Sequence, residues 1–139
     1  MTRIEFYHDA PDRLAAACRL VGDLYRQGRK VWIYAPDPAV AAAIDRLLWV
    51  QPATGFVPHC AAEAPLAQET PVLIGRTVEE TGHDDVLVNL DGDLPPGFGR
   101  FRQLVEIVGR SDEERLPARG RYKFYRDRGY PLEARPCPG

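Results

Sequence analysis

The chain has 139 residues, 45% of them hydrophobic and 27% charged, and a formal net charge of −2. That length suits one domain, 1–139, with a single core. No apolar run approaches the ~20 residues of a membrane span, and the near-neutral balance excludes a protein that coats nucleic acid through many phosphate contacts. The charge is unevenly placed: residues 1–99 carry −6 and residues 100–139 carry +4, so positive potential gathers in the C-terminal third.

The chain opens on a strand around Ile4, Phe6 and Tyr7, with no apolar signal region before it, and a cytoplasmic protein is expected. Pro11 and Asp12 start a helix whose stripe runs Leu14, Ala17, Cys18, Val21, Leu24 and Tyr25, with Gly28 as its C-cap. The apolar run 31–35 reads as a buried parallel strand. Asp37 or Pro38 begins a second helix carrying Val40, Ala43, Ile44, Leu47 and Leu48. An aromatic and proline-rich loop is expected over 49–59, then a loop or one helical turn over 61–70. The runs 71–75 and 86–90 read as core strands. A helix is expected over 98–105, with 105–108 as the last strand. Ser111 and Glu114 form a capping-box pattern opening the final helical region, which Pro117 interrupts or restarts and which Gly129 and Pro131 end. Strands alternating with helices predict a three-layer α/β/α domain with a mostly parallel sheet and helices on both faces.

Such a scaffold raises the question of a nucleotide site. The turn at 8–12, HDAPD, has no glycine to let backbone approach phosphates, and no phosphate-loop sequence occurs elsewhere. No nucleophile-elbow pattern is present. His83, Asp84 and Asp85 resemble a metal cluster but read as a solvated turn before a buried strand. His8 beside Asp9 lacks a third catalytic member, and His59 reads as structural. Cys18, Cys60 and Cys137 are odd in number and scattered, which suits neither a disulfide framework nor zinc. No intrinsic enzymatic activity and no cofactor or metal are therefore expected.

The stretch 118–130, ARGRYKFYRDRGY, interleaves cations with aromatics at helical spacing. Arg119, Tyr122, Lys123 and Arg126 then share a face. Fixed positive charge beside flat apolar rings suits single-stranded nucleic acid, or an acidic peptide ending in apolar residues.

Four segments together resemble the chi subunit family of bacterial DNA polymerase III holoenzyme: the Phe6-Tyr7 strand, LWVQPATGFVPH at 48–59, DVLVNL at 85–90, and RYKFYRDRG at 121–129. The stretch 61–84 carries no family motif. The resemblance implies a Rossmann-like fold without a phosphate-binding loop, and an accessory role in DNA replication within a DNA-directed DNA polymerase (nucleotidyltransferase) complex. It further implies two partners. One is the acidic C-terminal tail of single-stranded DNA-binding protein, taken by Val108, Arg119, Tyr122, Lys123 and Arg126. The other is the psi subunit of the clamp loader, or a substitute, met by Trp49, Phe56 and Pro58. Contact with single-stranded DNA is then indirect. Direct binding of single-stranded nucleic acid by the basic helix is the alternative.

Overall fold

The computed structural model describes residues 1–50, 57–78 and 83–137. Among them the chain runs β1 (Arg3–Ala10), α1 (Arg13–Arg26), β2 (Val31–Tyr34), α2 (Pro38–Val50), β3 (His59–Ala61), β4 (Val72–Gly75), β5 (Val86–Asn89), β6 (Gln103–Gly109), α3 (Asp112–Asp127) and β7 (Leu132–Pro136). The strands form one sheet in the order β3-β4-β2-β5-β6-β1-β7, each neighbouring pair parallel. The predicted three-layer α/β architecture is the observed one.

Alternation along the strands decides which layer each residue meets. Val31 and Ile33 of β2, and Val105 and Ile107 of β6, join the core under α1 and α2. Trp32 and Tyr34, with Leu104 and Val108, join the core under α3. β2, β4 and β5 are buried along their whole length, which is why they read as continuous apolar runs.

The helix ends follow from local chemistry. Asp12 accepts hydrogen bonds from the Leu14 and Ala15 amides at 3.1 and 3.2 Å, satisfying donors that the first turn of α1 leaves open. At its other end Gly28 takes φ +78, its amide donates to the Tyr25 carbonyl and Arg29 donates to Leu24, a Schellman closure. Gly129, at φ +80, ends α3 in the same way, with Tyr130 donating to Tyr125.

Several local expectations are corrected. The 98–105 segment is a single 3₁₀ turn, Phe98–Arg100, and β6 already begins at Gln103. Trp49 belongs to the end of α2 rather than to a loop, and His59 opens a short edge strand. β7 continues the sheet beyond the expected last strand. Ser111 stands at the N-cap of α3, but its hydroxyl donates to the Glu114 carboxylate at 3.3 Å instead of capping a backbone amide. α3 also runs through Pro117 without a break. Glu113, whose carbonyl loses its donor four residues on, is an exposed residue.

Candidate functional site

A groove of about 300 Å3 opens at the C-terminal ends of β1 and β6, the end of an open α/β sheet where ligands usually lie. Phe6, Val108 and Ala118 form its buried apolar floor. Tyr122 forms a wall, held edge-to-face on Phe6 with ring centroids 5.3 Å apart. Arg115 and Arg119 stand on the helix side of the rim, one turn apart, while His8 and Asp9 stand on the strand side.

Of the five residues expected to form one binding site, Val108, Arg119 and Tyr122 meet in this groove. Lys123 and Arg126 are exposed further along α3, outside the lining, and Arg126 lies 3.4 Å from Asp127. Arg115 pairs with Asp112 at 3.0 Å. Among the described residues no carboxylate lies within ion-pair distance of the Arg119 guanidinium. The arrangement offers an apolar slot with a planar cationic fork at its lip, which suits an anionic group carried on an apolar one.

Sequence reasoning missed Phe6, His8, Asp9, Gly109, Arg115, Ala118 and Ala134 as lining residues. Arg115 was detectable, since it precedes Arg119 by one helical turn. Ala134 enters only because β7 pairs beside β1, and Asp9 only because β1 bends there.

Beneath the helix lies a polar network with no sequence signal of its own. Glu106 faces α3 from the middle of β6 and is fully buried. Its carboxylate accepts hydrogen bonds from Arg121 Nε at 3.1 Å, the Tyr125 hydroxyl at 2.7 Å, and Asn89 Nδ2 at 3.0 Å. Arg121, only 6% exposed, also donates to the Gly92 carbonyl at 2.7 Å. Burial pushes the Glu106 carboxyl up in pKa, against the pull of Arg121, Tyr125 and Asn89. Burial and the Glu106 charge together push the Tyr125 hydroxyl up as well. The network reaches the loop after β5 through Arg121 and the Gly92 carbonyl, and it fastens α3 to the sheet.

At the opposite edge of the sheet Trp49 is 60% exposed, next to the equally exposed Val50. Its ring leans on His59 at 4.8 Å between centroids. His59 is pinned in turn, with Nδ1 2.7 Å from the Val57 carbonyl and Nε2 3.3 Å from Asp45, the latter off the line of a hydrogen bond. Pro58 is half-buried beside it. Phe56, the third residue expected on this surface, lies outside the described residues.

The remaining candidates separate into structural roles. Asp85 receives Arg29 through two guanidinium nitrogens and is held below the usual carboxylate range by that bond. Burial lowers the His83 pKa, and its ring meets Trp32 edge-on at 6.0 Å. Among the described residues no three His, Cys, Asp or Glu side chains converge as a metal site, and no helix is long and apolar enough to cross a membrane.

The family model described as DNA polymerase III chi subunit, HolC, matches residues 1–133. A DNA polymerase III subunit chi from Pseudomonas aeruginosa is 35% identical, with 99% of each chain covered. The Haemophilus influenzae protein of that name is 32% identical over 84% of this chain and 81% of the relative. The one from Escherichia coli is 30% identical over 83% and 79%. Among solved structures, the C-terminal domain of S. cerevisiae Dbp5 aligns with TM-score 0.62 at 16% identity, over 100% of this chain and 92% of that one, a likeness of fold alone. The chain belongs to the family of DNA polymerase III chi subunits.

Proposed function

We propose that this chi-family chain is a non-catalytic adaptor in the cytoplasm. In this reading it joins the acidic C-terminal tail of single-stranded DNA-binding protein to the clamp loader of the polymerase III holoenzyme, through psi or a substitute. The observation that carries the reading is the guanidinium of Arg119, with no carboxylate within ion-pair distance among the described residues, at the lip of the apolar slot formed by Val108, Ala118 and Tyr122. A peptide ending in an apolar residue bears its last side chain and its α-carboxylate on one carbon. Slot and fork can therefore engage together. The exposure of Lys123 and Arg126 beyond the groove supports a role in attracting acidic residues further up the tail.

The Trp49 surface supports the second half of the reading. A large exposed aromatic next to Val50 is a typical anchor for a protein partner. β3 and β1 are five strand positions apart, roughly 25 Å at the usual spacing, so two partners can bind together. Direct stacking of nucleic-acid bases is less well supported. Tyr125 is buried, and Tyr122 and Phe124 pack against the core under α3, which leaves α3 little ring face to offer.

Titration of a labelled acidic peptide ending in Pro-Phe, followed by fluorescence anisotropy, tests the groove. A charge-assisted hydrogen bond is worth about 1.5–3 kcal/mol, so Arg119→Ala should weaken binding about tenfold to a hundredfold. Val108→Glu should do likewise by filling the slot. Arg100→Ala, exposed and outside the lining, is the control. Equal losses at Arg100 and Arg119 mean diffuse attraction and no carboxylate clasp.

A further inference from the structure

β1 ends irregularly beside the groove. Its register with β6 shifts between Tyr7 and Ala10, and Asp9 in that interval has φ +59. It is the one non-glycine residue in the left-handed region among those described. Short polar side chains tolerate that conformation, and such strain tends to persist where it serves a site. Here Asp9 meets its neighbour: Asp9 Oδ2 and His8 Nδ1 lie 2.9 Å apart. The backbone of His8 is itself held, pairing with Pro136 and accepting a 2.7 Å hydrogen bond from the Cys137 amide.

Both side chains line the groove that Arg115 and Arg119 border. A carboxylate and two guanidiniums thus share about 300 Å3, yet among the described residues Asp9 pairs with His8 and with neither arginine. An acceptor-only carboxylate attached to the same chain is a built-in competitor for any anion the groove receives.

We propose that His8 is a positioning residue for anion binding: by engaging Asp9 it keeps that carboxylate off Arg119 and leaves the guanidinium open to the carboxylate of a ligand. The inference rests on the reading of the groove as a site for an acidic C-terminus. It differs from that reading in assigning the strand side of the rim a role in affinity without contact to the ligand.

A double-mutant cycle on the full chain tests it, with an N-terminally labelled acidic peptide ending in Pro-Phe and a free carboxylate as the probe. His8→Ala releases Asp9 and should weaken binding about two- to fivefold, the range that a competing exposed ion pair can withhold. Asp9→Asn removes the competitor and tolerates the same backbone, so it should bind as tightly as the wild type or more so. The double variant His8→Ala/Asp9→Asn should recover the affinity lost by His8→Ala. A lost contact or local packing defect at His8 would persist in the double variant, and that result overturns the proposal. So does wild-type affinity in His8→Ala. Equal binding by wild type and Arg119→Ala overturns the groove reading itself, and this inference with it.

Discussion

Arg121→Ala removes the cation beside a carboxylate that stays buried. Glu106 is fully enclosed, and Arg121 is the one cation within ion-pair distance of it among the described residues, at 3.1 Å, with Arg13 acting on it from further off. Breaking a buried ion pair from one side costs about 3–5 kcal/mol. The Tyr125 and Asn89 hydrogen bonds survive the change, so the lower end, about 3 kcal/mol, is expected. In a domain of this size that lowers Tm by about 10–15 °C. The loss should depend on pH. Burial raises the Glu106 pKa in the folded state, and a raised folded pKa means that the folded state holds the proton more tightly. The stability from such a group is fully present below the unfolded carboxylate value, about 4.3, and is lost as pH rises through the folded value. Losing Arg121 moves the folded value further up. The deficit against wild type should therefore grow as pH rises from about 4 toward about 8, through the folded values, and shrink as pH falls back toward the unfolded one. Thermal melts by circular dichroism across that range measure it, with Arg121→Ala/Glu106→Gln expected to recover part of the loss. A deficit under about 1 kcal/mol at neutral pH, or one that ignores pH, refutes the account of Glu106 as a charge held in place by Arg121.

Trp49→Ala should leave Tm within a few degrees, since exposed substitutions usually cost no more than about 0.5 kcal/mol, yet reduce capture of the clamp-loader partner at least tenfold by surface plasmon resonance. Unchanged capture would remove Trp49 from the interface. Gly75→Ala should destabilise the fold by about 1–3 kcal/mol in urea unfolding, because a Cβ there would sit 2.4 Å from Trp32 Cζ2; wild-type stability would mean that the indole can shift despite its 3.0 Å hydrogen bond to the Thr77 carbonyl.

Much of the architecture was legible because burial in a parallel sheet leaves a plain signature. VWIY, VLIG and VLVN are apolar throughout since both of their faces are covered. β7 left no such mark. Its residues, LEARP, are mostly exposed at the sheet edge, so only the backbone ladder to β1 makes it a strand. The groove was half legible for a related reason. Arg119 and Tyr122 lie on one helix and obey its period, whereas Asp9 reaches the same space through a backbone bend. Arg121 and Tyr125 illustrate the limit most clearly. Within a run of alternating cations and aromatics nothing separates Arg121, buried against Glu106, from Arg119, exposed at the rim. The difference comes from which face of α3 the sheet covers.

That difference bears on how the proposed adaptor works. Glu106 and Val108 stand on the same face of β6, one fastening α3 and the other flooring the groove. On α3 the alternation is matched: Arg121 and Tyr125 face the carboxylate, while Arg119 and Tyr122 face the groove. The network therefore sets the separation between slot and fork before any ligand arrives. A tail that binds to such a preformed site loses its own freedom but orders little of the receptor, which favours useful affinity from a small contact. The Trp49 surface is separated from this groove by buried strands that run straight across the sheet. For an adaptor of this kind no conformational signal between the two surfaces is needed. A rigid body that holds both partners raises the local concentration of one near the other, and that alone suffices to couple them.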